Sequence, residues 1–387
     1  MKENKIILVS TFFGAKLGGA EESIGLLYEE LKKVGIDVVV LSTRAYLSNI
    51  PGVFQIPGTR FIPNKILLLG FKFLDTYLSW QLKRAIRPYS CSGLHVQDLY
   101  LLPATKLVGN GIDVPVISHV REDIHKKIYP FNYPAILVKI GNYLLKKRSI
   151  TWVTYLNKVD YIIAVSHFIR NSLIKLGIDE QKISVVYNIV PAQKLPGQTH
   201  ITKYDQDKYT FLLSGRITTE KGHGTLIEAL IKIKEYNYEI RIAGEGPFLK
   251  HLLKSIKING LTERVKYIGK LTRTSMNEEY LNCDYVLQLS HVAEGFGRTV
   301  IEASRFNKFV IVTDVGAARE TVIEGQSGLL ISPNSAESIK QVFGKLLKRD
   351  GVLSPTKDAL TKLNERFDTS QSIKNLLSVY QNVISIK

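Results

Sequence analysis

Residues 209–230 read YTFLLSGRITTEKGHGTLIEAL. A short apolar run stops at Gly215-Arg216. Ile-Thr-Thr-Glu follows, then Lys221-Gly222, and a helical pattern opens near Thr225. A buried strand that turns through glycines into a helix is one βα unit of a parallel sheet covered on both faces. Two glycines bracket two cations at that turn, so a guanidinium and an ammonium can both reach a diphosphate. A surface loop with two solvated cations has the same local pattern, so the turn decides the fold before it decides the chemistry.

Downstream, the alternation continues through YEIRIAG, VKYIG, DYVLQLS and FVIVTD. Upstream, KIILVS, a helix from about Glu21 to Val34, and DVVVLST are followed by GLHVQD, VPVISHV, VDYIIAVS and ISVVYN. Each half is therefore a doubly wound α/β domain. Residues 191–208, PAQKLPGQTHITKYDQDK, are polar, contain Pro and Gly and lack an apolar period. They divide an N-terminal domain, 1–190, from a C-terminal domain, 209–369. The fold expected is α/β, two Rossmann-like doubly wound domains facing across a cleft, with ligand at the carboxyl ends of the strands. Ile373, Leu376, Leu377 and Tyr380 recur at helical spacing near the end of the chain.

A length of 387 residues suits two domains. No run of eighteen apolar residues occurs, which excludes an ordinary membrane-spanning helix. The charged start before KIILVS fits a buried first strand better than a signal peptide, because the apolar stretch ends at Gly14. Cys91 and Cys283 stand far apart without His or Cys at ligand spacing, so neither a disulfide framework nor a metal site is expected. The net charge is +17, and it is dispersed: 24 Lys and Arg against 14 Asp and Glu in residues 1–190, and 28 against 21 in 191–387. Such a balance favours polyanions or anionic membrane as partners. No helix-turn-helix, zinc-finger spacing or RNP-like strand accompanies it, so nucleic acid is not an expected partner.

After DYVLQLS comes HVAEGFGRTVIEASRF. Glu294 lies in a loop and Glu302 inside a helix opening near Arg298. The peptide N–H groups of Gly297, Arg298 and Thr299 then form an anion-binding helix N-terminus. Glu302 lies about one turn further in, roughly 6 Å along the axis. That depth suits a ribose diol, and Glu294 in the loop suits sugar hydroxyls. A first-turn glutamate also favours the helix dipole without any ligand, so it is the joint pattern with Gly-Phe-Gly that points to a site.

Gly-Arg-x4-Lys-Gly, followed some seventy residues later by Glu-x7-Glu with Phe296-Gly297 after the first Glu, resembles the family 4 group of retaining glycosyltransferases of the GT-B fold (glycosyl transferases group 1). LGGAEES, with Gly18 and Gly19, resembles the family's N-terminal glycine loop. AGEGP, with Gly244, Glu245 and Gly246, resembles its Gly-x-Gly-Pro turn, and GQSGLLI its late strand motif. The resemblance implies transfer from a nucleotide sugar, with Gly215, Arg216 and Lys221 at the diphosphate, Glu302 on the ribose and Glu294 on the donor sugar. It also implies that residues 370–387 cross back onto the N-terminal domain. His119, after VPVIS, matches a family histidine that touches the donor sugar; a strand-end histidine is also a common structural residue. Gly18-Gly19 precede a helix, where their N–H groups can approach a donor phosphate or an acceptor. Arg121 and Glu122 are placed to grip the acceptor or to pair with each other at the surface. Asn188 in VVYNIVP stands where the family has Asn-Gly, with Ile189 in place of the glycine.

The expected activity is metal-independent retaining hexosyl transfer, UDP being the favoured nucleotide, with no cofactor. Asp205-Gln-Asp207, the only Asp-x-Asp pattern, lies in the linker and reads as solvated charge. A nucleotide-sugar epimerase of the same fold and a polyanion-binding protein are the alternatives. Residues 60–87 carry six cations against one acid, interleaved with Phe61, Phe71, Phe73, Tyr77 and Trp80, and a second basic-aromatic stretch runs from Lys126 to Trp152. Such segments suit binding at an anionic lipid surface. Peripheral attachment to the cytoplasmic face of the cell membrane and a lipid-linked saccharide acceptor in surface polysaccharide synthesis are the corresponding expectations.

Overall fold

A computed structural model describes residues 5–14, 19–45, 50–60, 62, 72–124, 135–190, 208–348 and 352–384. Gly18, most of the linker with Asp205 and Asp207, Phe61, Phe71 and residues 126–134 lie outside that set. The chain divides into two compact units, residues 1–189 with 369–387, and residues 190–368.

The first unit holds β1 (Lys5–Phe13), α1 (Gly19–Lys33), β2 (Val38–Ala45), β3 (Val53–Gln55), α2 (Lys72–Ile86), β4 (Cys91–Val96), α3 (Leu102–Ile112), β5 (Val116–Val120), α4 (Ala135–Leu156), β6 (Tyr161–Ala164), α5 (His167–Lys175) and β7 (Ile183–Val185). The strands form one parallel sheet in the order β3-β2-β1-β4-β5-β6-β7. β1 is buried along nearly its whole length, as a strand covered on both faces must be. Because parallel crossovers are right-handed, α1 packs on one face, while α2, α3 and α4 form a layer on the other, with α3 packed against both its neighbours.

The last helix of the chain, Thr369–Ile384, completes this unit. Ile373, Leu376, Val379, Tyr380 and Ile384 join one buried cluster with Ile24, Leu27 and Leu31 of α1 and with Ile6, Leu8 and Val40 of the sheet. Gly93 of β4 lies so close to Ile384 that a Cβ there would overlap it. Burying side chains of this size stabilises the contact by about 1.5–3 kcal/mol each.

The second unit runs β8 (Tyr209–Ser214), α6 (His223–Leu230), β9 (Tyr238–Ala243), α7 (Leu249–Ile258), β10 (Val265–Gly269), α8 (Arg273–Asn282), β11 (Tyr285–Gln288), α9 (Arg298–Arg305), β12 (Phe309–Thr313), α10 (Ala318–Thr321), β13 (Gly328–Ile331), α11 (Ala336–Leu347) and α12 (Lys357–Arg366). Thr369–Ile384 is α13. The sheet order is β10-β9-β8-β11-β12-β13, all parallel. The order reverses between β8 and β11, and the crevice beyond the carboxyl ends of the strands at such a switch point is where open α/β sheets bind ligands. The two loops that flank it are those singled out in the sequence, 215–222 and 289–297.

Candidate functional site

Close backbone approach builds the second unit's switch point. Gly215 has φ +136°, Gly222 +76° and Gly244 +138°, all in the left-handed half of the map that side chains avoid. A Cβ on Gly222 would overlap the Leu289 carbonyl, and one on Gly244 would overlap the Gly215 carbonyl. Gly246 presses in the same way against Ile217. Two backbone bonds, Ile217 N–H to Glu245 O at 2.8 Å and Phe248 N–H to Ile217 O at 3.0 Å, then zip the AGEGP turn to the Gly-Arg loop. Gly244 and Gly246 thus have a packing reason for being glycine, which is separate from any direct ligand contact. Glu245 points to the surface, within 3.4 Å of Lys270.

Lys221 ends a short 3-10 turn, Thr219–Lys221, that precedes α6. Its ammonium pairs with Glu294, which also accepts a hydrogen bond from Ser290 Oγ. The Glu294 loop is held from several sides. His291 N–H donates to Glu220 O at 2.7 Å and Ala317 N–H to Glu294 O at 2.9 Å, while Gly316 (φ +61°) lies so close to the Glu294 backbone that only glycine fits. Burial alone would raise the Glu294 carboxyl. The Lys221 charge, hydrogen bonds from Lys221 and Ser290, and the Arg216 charge outweigh it and hold the group below the ordinary carboxylate value. Glu294 is therefore an ionised acceptor at neutral pH. Arg216 itself is exposed at the strand end.

Gly297, at φ +76°, is the N-cap of α9, so the first N–H groups of the helix, including those of Arg298 and Thr299, have no earlier turn to serve. Phe296 is a core residue, 5% exposed and set edge-on to Phe367. Glu302 Oε1 accepts from Arg298 Nε at 2.8 Å and from an Arg273 guanidinium nitrogen at 3.0 Å, and Oε2 accepts from Tyr280 OH at 3.1 Å. Arg298, expected to serve through its backbone, thus also anchors Glu302 through its side chain. Arg273 and Tyr280 come from α8, and nothing in their local sequence marks them. Ser290, Gly316 and His291 likewise carry little sequence signal; only Ser290, two residues past β11 and four before the loop acid, has a usable position.

In the first unit, Gly19 opens α1. His119 lies within β5 rather than beyond it, and is 3% exposed. Its ring lies parallel to that of His95 on β4, with centroids 5.3 Å apart. His95 Nδ1 meets Tyr380 OH of α13 at 2.6 Å. Arg121 donates to Asn188 Oδ1, to Gln97 Oε1 at 2.7 Å and to His119 Nδ1 at 3.3 Å. Since a guanidinium can only donate, His119 Nδ1 accepts and Nε2 carries the proton. That Nε2 is buried and makes no hydrogen bond among the described residues. Burial, with Arg121 and His95 beside it, holds His119 well below the ordinary histidine value, so it is a neutral donor. His119, Arg121 and Asn188 line a small pocket with Ser23, Ser372 and Leu376. Glu122 accepts from Tyr100 OH at 3.4 Å. His95, Gln97 and Tyr380 were invisible as a group in the sequence because β4, β5 and α13 meet only in the fold.

The thiols are poor nucleophiles, since burial pushes Cys91 to about 11 and Cys283 to about 12.

Two family models match the chain: Glycosyl transferases group 1 over residues 198–366 and Glycosyltransferase Family 4 over residues 17–194. The phosphatidylinositol N-acetylglucosaminyltransferase GPI3 subunit of Saccharomyces cerevisiae is 21% identical over 98% of this chain and 83% of its own length. The uncharacterized glycosyltransferase MJ1178 of Methanocaldococcus jannaschii is 26% identical over 58% of this chain, and the match spans 60% of that relative. Among solved structures, sucrose-phosphate synthase from Thermosynechococcus elongatus superposes with a TM-score of 0.81 at 16% identity, covering 99% of this chain and 100% of that one. Anabaena Alr3699/HepE in complex with UDP and glucose gives 0.73 at 18% identity over 99% and 100%. These likenesses establish the GT-B fold.

Proposed function

The chain belongs to the family 4, group 1 glycosyltransferases, and from that premise we propose that it transfers a hexosyl group, with retention and without a metal, from a UDP-sugar to a lipid-linked saccharide of the kind used to build surface polysaccharide. The observation that carries this reading is the ionised Lys221–Glu294 pair locked at the β8/β11 switch point, with Arg216 and the α9 N-terminus beside it.

Each group has one task in the proposed reaction. Arg216, Lys221 and the first N–H groups of α9 hold the diphosphate and stabilise the charge that develops on it as the glycosidic bond breaks. Glu294 accepts hydrogen bonds from donor-sugar hydroxyls once the diphosphate draws Lys221 towards itself. Glu302, fixed by Arg273, Arg298 and Tyr280, accepts from the ribose diol. His119 donates from Nε2 to a sugar hydroxyl. The donor C1–O bond breaks and the acceptor oxygen bonds to C1 on the same face, while the acceptor proton passes to the leaving phosphate oxygen. That route needs no carboxylate nucleophile in the first unit.

Support for the UDP preference comes from the UDP complex among the structural neighbours, and support for a lipid-borne acceptor from the phosphatidylinositol named in the GPI3 relative. The relatives and structural neighbours described above give the epimerase alternative no support. A thermal-shift series with UDP, GDP and ADP, run with a chelator, tests the donor assignment: a ligand at about 100 times its Kd adds ~2.7 kcal/mol of stability. UDP should raise the melting point most. A larger shift with GDP or ADP would refute the UDP assignment.

A further inference from the structure

In α2, Phe73, Tyr77, Trp80 and Arg84 stand at i, i+4, i+7 and i+11, one stripe along the helix, and the three aromatics are 72%, 37% and 55% exposed. In α4, Lys139, Tyr143, Lys146 and Ile150 repeat that spacing, Tyr143 being 58% and Ile150 61% exposed. Leu107 of α3, the helix between them, is also exposed. Six of the twelve large hydrophobic side chains exposed among the described residues thus belong to this single layer of three helices. A monomer's scattered apolar residues would not concentrate in that way.

The charge of the layer is set by one buried pair. Asp75 is the only acid in the three helices. It does not reach the surface: Arg148 of α4 crosses to it with two bonds, 3.0 and 3.2 Å, and both side chains are buried. Arg148 also donates to Tyr100 O at 3.0 Å. Lys106 is likewise withdrawn, against Asp160 at 2.9 Å. The cations that remain exposed are Lys72, Lys83, Arg84, Lys139, Lys146 and Lys147, with no acid among them. Arg84 lies over the Trp80 ring at 4.8 Å and Lys147 over the Tyr143 ring at 4.9 Å. In both stripes a cation on a flexible stem covers an aromatic face, an arrangement that lets the ring enter an interface while the charge stays at its polar edge. The basic-aromatic stretches seen in the sequence therefore need one correction: Arg148 belongs to the interior and not to the basic surface.

We propose that the outer face of the α2–α3–α4 layer docks on an anionic lipid bilayer, with the aromatics at the headgroup boundary and the six cations over lipid phosphates. The inference rests on the reading of a lipid-linked acceptor for its purpose, and adds the surface that would bring the first unit to it. Among the described residues no helix is long and apolar enough to cross a membrane, so attachment is interfacial. A second copy of the chain is a poor occupant, because a two-fold contact would set cations against cations.

Co-sedimentation of the full chain with phosphatidylcholine vesicles, with and without phosphatidylglycerol, tests the proposal. Pelleting should require the anionic lipid and fall as salt is raised. Reversing charge at Lys83, Arg84, Lys146 and Lys147 together should lower partitioning about tenfold or more, and so should the separate set Phe73→Ala, Trp80→Ala and Tyr143→Ala. The UDP-induced melting shift is measured on each variant to show that the second unit is intact. The docking face is refuted if the chain stays in the supernatant with anionic vesicles at low salt, or if both variants pellet like the parent. A dimer in light scattering that both variants dissolve would refute it too, as would binding to polyglutamate that matches vesicle binding and ignores the aromatic set. If the parent chain transfers sugar to a detergent-solubilised acceptor but binds no anionic vesicle, the docking face alone is refuted. Vesicle binding without any nucleotide-sugar turnover would sink the transferase reading alone.

Discussion

Glu294 and Glu302 are both ionisable side chains at the ends of the same eight-residue interval, yet their surroundings assign them different work. Glu294 is paired with one ammonium, Lys221, and with Ser290 Oγ; Glu302 is held by two guanidinium groups and a phenol. Lys221→Ala and Glu302→Ala should each reduce turnover by about 2–4 kcal/mol of transition-state stabilisation in chains that still fold, as read by circular dichroism. Near-parental rates in either variant would refute the site. The buried imidazoles lead to a pH prediction of definite sign. Burial, then Arg121, lowers His95 to about 3, and His119 is also held well below its ordinary value. Both stay neutral in the fold while an unfolded histidine takes up a proton below about 6.5. Stability should therefore fall as pH drops from about 6.5 towards 3, and the acid-side slope in urea melts should weaken in His95→Asn. For the same reason kcat/KM should show no limb near pH 6.5; an inflection there would mean that His119 titrates in its working range. Of these residues, Lys221, Glu294 and Glu302 could be singled out as candidates from motif spacing, and His119 from the family resemblance. Tyr280, Arg273, Tyr380 and His95 could not, since the hydrogen bonds that place them span 22, 29 and 285 positions and carry no local signature.

α4 shows where helical phase overrides composition. Lys146, Lys147 and Arg148 look like one basic cluster in the sequence, but successive residues on a helix point about 100° apart, and the third turns inward to Asp75. Arg148→Ala should destabilise the first unit by about 3–5 kcal/mol because it strands a buried carboxylate, whereas Lys147→Ala should remain within ~0.5 kcal/mol. Equal effects in chemical denaturation would contradict the buried pair. α13 makes the complementary case. Its apolar spacing announced a helix, but only the fold shows Leu376 fully buried among α1, β1 and β2. Leu376→Ala should cost about 2–5 kcal/mol, read from the same denaturation curves. The strands were the most legible elements, because a run such as KIILVS or YTFLLS between glycine turns has few other fates in a doubly wound sheet. Which helix covers which face followed from crossover handedness, and that becomes usable only once the strand order is known.

The charge of +17 is a property of the molecule that no single motif explains. In the second unit it includes Arg216 and Lys221 at the switch point, and in the first a helix layer whose only carboxylate, Asp75, is buried against Arg148. The two-unit α/β architecture and the switch-point loops were readable because glycine turns, strand runs and the two spaced glutamates all reinforce one reading. The cluster of Gln97, Arg121 and Asn188 was not, since its members come from separate elements that meet only in the fold. The central claim is chemical: this chain forms a new glycosidic bond with the donor's configuration kept. The most direct measurement is proton NMR of the product formed from an α-linked UDP-sugar and a panel of lipid-linked saccharides, in saturating chelator. An α-linked product at undiminished rate is the predicted result. A β-linked product, a free epimer of the donor sugar, or activity that returns only when manganese or magnesium is added would contradict it.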